Sequence, residues 1–338
     1  MTPEALFRLG MTRLRLPAPT AKLHVVHGVA RALRDEGTRC AAWEGLLQWI
    51  RDADLESEIL EAMCPLLLVD SIEARPSADL RRAINWPSVL SDVFLSRAYN
   101  APMLVNAWAK SHSGEAPSLF RAEAYEEELE KAHIVPPILR RRLARLEDRA
   151  HRPFVKQWVY EFERVVSRIG NDTATTGHLS YFAGNDRENE NGQFITRRGH
   201  VARSAYLRTL ALAFDCWGMP EETVRAEAMY ASPIDFAFLR MLPTAAPEWA
   251  VPLHHTQATT AADLQEAVAA SAHEVLTAQR RVLLYLNIPL KSAERYHADA
   301  ELITCLCANE HEPPENLFRM HDHLPGSVYV HRSYDATL

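Results

Sequence analysis

The sequence predicts a mainly α-helical protein built from stacked helical hairpins, arranged either as a HEAT- or armadillo-like array or as an irregular bundle. Three observations indicate this class. Apolar residues recur at helical spacing through most of the 338 residues. The chain has 20 prolines but only 12 glycines, which is typical of many helices separated by proline-marked corners. The predicted helices follow one another through very short links. No repeat of fixed period distinguishes the array from the bundle, so both stay open.

Residues 1–110 form the predicted N-terminal helical domain. Thr20, Thr38 and Asp54 are predicted N-caps, because a side-chain oxygen at this position can accept a hydrogen bond from a free backbone N–H. Pro87 is predicted to open a further helix, whose first turn needs no N–H from it. The residues predicted to face inward after Thr38 and Asp54 are Trp43, Leu46, Leu47, Ile50, Leu55, Ile59, Ala62, Met63 and Leu66.

The predicted central helical domain covers residues 117–259 and follows a linker candidate, residues 110–117. Its basic segment over residues 135–170 is divided by Pro153 into two helices, because proline cannot continue a helix. The second helix carries an apolar stripe at helical spacing, made of Phe154, Trp158, Phe162, Val165 and Ile169.

A polar stretch, residues 171–200, interrupts this domain and is predicted to be a β-hairpin insert. Residues 178–182 and 193–197 alternate like half-buried strands, and the loop between them is rich in Gly, Asn and Asp. A helix is predicted to begin at Gly199. Its apolar face would consist of Val201, Ala205, Leu207, Leu210, Ala211 and Phe214.

The last predicted domain, residues 260–338, is a long helix followed by short strands. Thr260 is its predicted N-cap. Strand candidates cover residues 281–290, 301–309 and 326–334. This pattern predicts a small α/β or α+β unit.

Composition limits the location and the partners of the chain. The net charge of -7 gives no global field that would favour nucleic acid. Five cysteines at irregular spacing argue against a disulfide framework and for a reducing, cytoplasmic location. The chain start lacks the pattern of a signal peptide, and no stretch approaches the roughly 20 apolar residues of a membrane span. We therefore expect no membrane partner.

The polar insert holds the first candidate site. His178 with Ser180 resembles half of a nucleophile–base pair, and His200 is a further acid–base candidate. Arg197, Arg198 and Arg203 near a helix start are predicted to bind an anion. The alternative is a solvated loop whose arginines pair with its own acids.

The helix before Pro153 is the second candidate. Its basic residues are Arg140, Arg141, Arg142 and Arg145. Such a run can contact phosphates at close to one contact per cation, and the downstream Trp158 and Tyr160 could stack bases. The alternative is that the acids at 123–130 cover this face.

The third candidate is a group of residues near the C-terminus that could ligate zinc, which needs about four N or S ligands. The group consists of Cys305, Cys307, His311, His321 and His323. Cys-x-Cys is a poor chelating turn, and buried cysteines are common for packing reasons, so no cofactor is predicted and zinc stays an alternative.

The sequence contains no glycine-rich phosphate loop, no dinucleotide fingerprint, no HExxH motif and no kinase or hydrolase signature. The leading hypothesis is a cytoplasmic helical scaffold or adaptor that binds a protein partner, as a subunit of a multi-component assembly. One alternative is an enzyme that acts on a phosphate-containing or nucleic-acid substrate through residues 178–203. A second is nucleic-acid binding through the basic helices at 140–156.

Overall fold

The computed structural model describes ten stretches of the chain. They are residues 2–15, 19–69, 77–99, 105–121, 137–170, 197–233, 239–240, 285–291, 296–303 and 328–334. Within them, side chains are described except at 15, 19–21, 77, 105–106, 137–141, 197–198 and in the strands. The chain divides into two compact units, Met1–Pro243 and Thr244–Leu338.

The described part of the first unit is helical, which confirms the predicted mainly α class. Its α-helices are α1 (Pro3–Met11), α2 (Pro19–Arg34), α3 (Arg39–Arg51), α4 (Glu56–Met63), α5 (Ser77–Ala83), α6 (Val89–Tyr99), α7 (Val105–Trp108), α8 (Pro137–Ala150), α9 (Phe154–Ile169), α10 (Arg197–Asp215) and α11 (Glu221–Ala228). Short 3₁₀ turns follow α1, α4 and α11, at Thr12–Arg15, Cys64–Leu68 and Met229–Ala231.

Helix α10 is the element around which the first unit packs. It contacts α4, α6, α9 and α11. From Gly199 to Ala213 every residue except Arg208 is buried. A helix that is covered on all sides needs small or apolar residues all round, and alanines at 202, 205, 211 and 213 allow its neighbours to approach closely.

The predicted core of the N-terminal helices is confirmed, whereas their predicted caps are mostly displaced. All nine residues predicted to face inward after Thr38 and Asp54 are buried. Thr38 is the N-cap of α3, but its hydroxyl donates to Asp35 Oδ2 at 2.8 Å instead of capping the helix. Thr20 lies inside α2, and the N-cap of α4 is Leu55, one residue after Asp54. These two predicted caps are therefore wrong.

Helix α6 begins two residues after Pro87 because serine caps it. The Ser91 amide donates to Ser88 Oγ at 3.1 Å, and the Ser88 amide donates to Ser91 Oγ at 2.9 Å. This reciprocal pair satisfies two backbone donors that would otherwise lack partners at the helix start.

The division of the basic segment at Pro153 is confirmed, because α8 ends at Ala150 and α9 begins at Phe154. Phe154, Trp158, Phe162 and Val165 of the predicted stripe are buried, and Ile169 is half-buried. The stripe packs against α10, where Trp158 Nε1 donates to the carbonyl of Ala202 at 3.1 Å.

The described part of the second unit is a three-stranded antiparallel sheet in the order β1 (Tyr285–Lys291), β2 (Tyr296–Ile303) and β3 (Val328–Tyr334). These strands overlap the three segments in which strands were predicted. Tyr285 pairs with Ile303, and Tyr296 pairs with Tyr334. Pro289 lies on β1, an edge strand of the described sheet, and edge strands are where proline is tolerated because it has no N–H to donate to a ladder.

Several predicted elements lie outside the described residues. They are the hairpin segment at 171–196, the acidic helix at 123–130 and the helix after Thr260. Residues 197–200, which the sequence assigned to the end of the insert, form the first turn of α10. The three-domain division and the repeat-like stacking stay predictions.

Candidate functional site

A cluster of ionisable and hydroxyl side chains is buried between α2, α4 and α10; we call it the buried cluster. Lys22 Nζ donates to both carboxylate oxygens of Glu61, at 2.7 and 2.9 Å. On the other side, His200 Nε2 lies 3.5 Å from Glu61 Oε1. His200 Nδ1 lies 2.9 Å from Ser57 Oγ. Arg203, one turn further along α10, is also buried and interacts electrostatically with Glu61.

Desolvation dominates the electrostatics of the buried cluster. Burial raises the pKa of Glu61 to about 7, although Lys22 and Arg203 oppose the shift. Burial likewise lowers the pKa of Lys22, and it lowers the pKa of Arg203 to about 10. In each case removal from water disfavours the charged form more than the neighbouring opposite charge favours it.

Ser57, His200 and Glu61 have the order of a nucleophile, a base and an orienting acid, but no substrate could reach them. Ser57 is fully buried, and His200 and Glu61 are only 4% and 3% exposed. The contacts instead join helices, since the Ser57 amide at the start of α4 donates to Ser204 Oγ of α10 at 3.1 Å. The buried cluster therefore links α2 and α4 to α10 through side-chain contacts.

A second network surrounds Arg208, which lies five residues after Arg203 on α10. We call this network the Arg208 hub. The guanidinium donates to Glu161 Oε2 at 2.8 Å, to Glu56 Oε1 at 3.0 Å and to Ser113 Oγ at 2.9 Å. Both carboxylates are fully buried, while the Arg208 side chain is 11% exposed. Burial lowers the pKa of Arg208, but the two carboxylates outweigh it and the pKa is raised.

Residues 110–121 form a loop that we call the anchored loop. The Arg208 hub holds this loop at Ser113. Glu161 accepts hydrogen bonds from the Ser113 amide at 2.7 Å and from its hydroxyl at 2.8 Å. Gln157, one turn earlier on α9, accepts from the Ala116 amide at 2.8 Å and donates to the Gly114 carbonyl at 2.9 Å. Residues 113–116 of the segment predicted as a linker are therefore bound to α9.

The far end of the anchored loop forms a turn on the same helix. The Phe120 amide donates to the Pro117 carbonyl at 2.9 Å, and Lys156 Nζ donates to the Ser118 carbonyl at 3.2 Å. The Phe120 ring packs edge-on against Tyr160 at 5.2 Å between ring centroids. Leu119 lies between these contacts, and its side chain is 91% exposed. The turn therefore presents one large apolar side chain to solvent from a backbone held on both sides.

The start of the anchored loop is held by the end of α10. Lys110 Nζ lies 2.5 Å from Asp215 Oδ1, and His112 Nε2 lies 3.1 Å from Asp215 Oδ2. Cys216 Sγ lies 3.7 Å from the same Oδ2. Among the described residues, His112, Asp215 and Cys216 are a group whose ligand atoms all lie within 4.8 Å of one another, as a metal ion would require.

Two of the residues predicted for the polar insert site, His200 and Arg203, belong to the buried cluster and not to an exposed surface. In the predicted basic face, Arg142 is 9% exposed and pairs with both oxygens of Glu227, at 2.7 and 2.9 Å. Its guanidinium also lies 3.9 Å from the centre of the Tyr230 ring. The charge of Arg142 is thus compensated inside the protein. Arg145 is half-buried.

The other predicted site residues lie outside the described residues or side chains. They are His178, Ser180, Arg140, Arg141, Arg197, Arg198, Cys305, Cys307, His311, His321 and His323.

Sequence reasoning did not find Glu61, Glu161 or Arg208. Each of them is a charged residue within an apolar helical pattern, which is the available signal, because an unpaired charge is rarely buried. Their partners lie far away in the sequence: Arg208 is separated from Glu56 by 152 residues. The sequence could therefore have marked these charges as paired without identifying the partner.

No helix in the described stretches is both long enough and apolar enough to cross a membrane. The chain was also compared with known proteins. No protein-family model matches it, and neither the curated proteins nor the solved structures contain a significant match.

Proposed function

We propose that the protein is a helical scaffold or adaptor that binds a protein partner, and that the anchored loop is its contact surface. The observation that carries the proposal is Leu119, which is 91% exposed at a turn held by hydrogen bonds on both sides. The polar insert predicted at residues 171–200 lies outside the described residues up to 196.

Preorganisation is the physical reason for choosing this loop. A partner that binds a mobile loop must offset the entropy lost when the loop becomes ordered, and a loop already held in place avoids most of that cost. Glu161 and Gln157 satisfy the backbone of the anchored loop before any partner arrives. Functional residues are often carried by loops that a rigid scaffold positions.

The surroundings of Leu119 indicate the chemistry of the partner. Lys156 lies against the turn, and Arg121 follows it as an exposed residue. Arg164 stacks over the Tyr160 ring at 5.0 Å, on the side chain that also packs against Phe120. An apolar side chain with cations around it fits a partner surface that has an apolar pocket and carboxylates at its rim.

The proposal includes a cytoplasmic location and the stacked-hairpin arrangement of the predicted fold. Cys40 and Cys216 support the location, because both are free thiols on the surface. Exposed free thiols are usual in reducing compartments. His200, Arg203 and Arg142, which the enzyme and nucleic-acid alternatives use, are buried within the first unit. Most other residues of these alternatives lie outside the described side chains, so both alternatives stay predictions.

Two leucines of the same chain provide a matched experiment. Leu119→Asp places a charge at the proposed contact, and Leu6→Asp places the same charge on another exposed leucine, 56% exposed on α1. A partner is first captured with the wild-type chain and purified, and its affinity for each variant is then measured by titration calorimetry. We expect Leu119→Asp to raise Kd by about tenfold or more and Leu6→Asp to change it by less than about twofold. Equal affinities for the two variants would refute the assigned surface.

A further inference from the structure

Two possible ligand atoms, a nitrogen and a sulfur, lie close to a single carboxylate oxygen where α10 meets the anchored loop. Asp215 Oδ2 lies 3.1 Å from His112 Nε2 and 3.7 Å from Cys216 Sγ. Zinc takes nitrogen at about 2.0 Å and sulfur at about 2.3 Å in a tetrahedron, which puts neighbouring ligand atoms about 3.3–3.7 Å apart. The observed distances of 3.1 and 3.7 Å fall close to that range. Asp215 and Cys216 are neighbours in the sequence, whereas His112 is brought to them by the fold.

The backbone and the other carboxylate oxygen are held by separate contacts. The Cys216 amide donates to the Leu212 carbonyl at 2.8 Å, and the Met219 amide donates to the Ala213 carbonyl at 3.0 Å. Gly218, with φ of 70°, allows the chain to close the helix in this way. Lys110 contacts Asp215 Oδ1, which orients the carboxylate and leaves Oδ2 directed at the other two donors. Outer contacts of this kind are a regular feature of metal sites.

We propose that His112, Asp215 and Cys216 form a binding site for a divalent metal ion, with zinc as the ion that fits the donors best. One nitrogen, one oxygen and one sulfur ligand suit zinc, whereas magnesium and calcium prefer oxygen alone. Three protein ligands leave a fourth position for water. The site is independent of the proposed function, since it requires no partner protein.

Binding of the metal moves two protons. The Gly114 amide donates to His112 Nδ1 at 3.0 Å, so the ring proton is on Nε2 and is donated to Asp215. When Nε2 ligates the metal, the ring proton moves to Nδ1 and the hydrogen bond from Gly114 breaks. The Cys216 thiol becomes a thiolate and releases one proton to solvent. Metal affinity must therefore rise with pH, and binding must release a proton.

The broken Gly114 hydrogen bond and the displaced proton both weaken binding relative to a closed four-ligand site. Gly114 itself has φ of 86°, a conformation that glycine adopts without strain.

Two exposed cysteines make the test specific. Zinc is titrated into the wild-type full chain, Cys216→Ser and the control Cys40→Ser, and binding is followed by calorimetry in two buffers of different ionisation enthalpy. Loss of an outer contact already lowers metal affinity by about tenfold or more, so we expect Cys216→Ser to lower it by at least that factor. Cys40→Ser should leave it unchanged, because Cys40 lies on α3 and is not part of this group of ligands.

A second measurement uses the unaltered protein. Zinc should protect the Cys216 thiol from alkylation, measured by peptide mass spectrometry, while alkylation of Cys40 proceeds at the same rate with and without zinc. The proposal is overturned if zinc protects neither thiol, or if the affinity of Cys216→Ser equals that of the wild type. The second result would assign any bound zinc to other residues of the chain.

Discussion

Arg203 and Arg208 lie five residues apart on the same helix, and both face buried carboxylates, yet their pKa values shift in opposite directions. The pKa of Arg203 is lowered to about 10 by burial, with Glu61 opposing. The pKa of Arg208 is raised, because Glu56 and Glu161 together outweigh the effect of burial. A buried charge is therefore tolerated to very different degrees at two neighbouring positions of α10.

The balance of charge explains the difference. In the buried cluster one buried carboxylate, Glu61, is the counter-charge of both Lys22 and Arg203. The Glu58 carboxylate also interacts electrostatically with Lys22, but Glu58 is only half-buried. At the Arg208 hub two fully buried carboxylates face one guanidinium, and Glu56 also accepts from Arg168 at 3.3 Å. Low-dielectric surroundings make unmatched charge costly, so a shortage of carboxylate lowers the pKa of the cations.

The largest expected effect comes from removing the shared carboxylate. Glu61→Gln leaves Lys22 and Arg203 buried without their counter-charge, and breaking a buried pair in this way costs about 3–5 kcal/mol. We expect the free energy of unfolding, measured by urea titration at a pH above about 7, where Glu61 is ionised, to fall by that amount. Glu58→Gln on the same helix is the matched control and should cost less than about 1 kcal/mol. A loss below about 1 kcal/mol in Glu61→Gln would mean that the cluster is not what holds α2 and α4 on α10.

A smaller effect is expected at the Arg208 hub, because Arg208 keeps its contact with Glu56 when Glu161 is changed. Glu161→Gln weakens the hydrogen bonds to Ser113 and Arg208, and hydrogen bonds to a charged group contribute about 1.5–3 kcal/mol. We expect a loss of about 2–3 kcal/mol in unfolding free energy and faster amide hydrogen exchange at residues 113–116.

The half-buried Glu163 on the same helix supplies the control for that measurement. Glu163→Gln should leave exchange in the anchored loop unchanged. Glu61→Gln should do the same, since the hydrogen bonds of the buried cluster described above involve no residue of the loop. If Glu61→Gln accelerated exchange at residues 113–116 as much as Glu161→Gln, the two networks would be one cooperative unit and the comparison would fail.

The last expected effect is a pH dependence contributed by Glu61. Its pKa is about 7 in the folded protein, above its ordinary value of 4.5, so the folded state holds the proton more tightly than the unfolded state does. This contribution to stability is fully present below pH 4.5 and is lost as the pH rises through about 7. We therefore expect the free energy of unfolding, measured by urea titration, to decline less between about pH 4.5 and 8 in Glu61→Gln than in the wild type. Parallel pH profiles for the two proteins would contradict a raised pKa for Glu61.

Local patterns predicted much of the helical framework. Phe154 and Trp158 were placed on a buried stripe and Pro153 at a helix break, because periodicity and backbone geometry act over a few residues. The predicted caps at Thr20 and Asp54 were wrong because a polar residue is a possible cap at many positions. The residue type alone does not fix where a helix begins. Thr38 shows this directly, because its hydroxyl is taken by Asp35.

The candidate site could not be predicted in the same way. His200 was predicted as an acid–base candidate and Arg203 as part of an exposed anion site, whereas the structure buries both beside Glu61. Residues 110–117 have the composition of a linker, yet Glu161 and Gln157 hold them against α9. Composition describes what a segment can contact, whereas its actual partners depend on which helices pack around it.

The amino-acid sequence alone determined the helical class and the residues of the apolar core, because burial of periodic apolar faces is encoded locally. Only the tertiary structure decided which charges meet. Ser57 and His200 are 143 residues apart, and Glu56 and Arg208 are 152 apart. A Coulombic contact acts over a few ångströms in space and leaves no periodic trace along the chain.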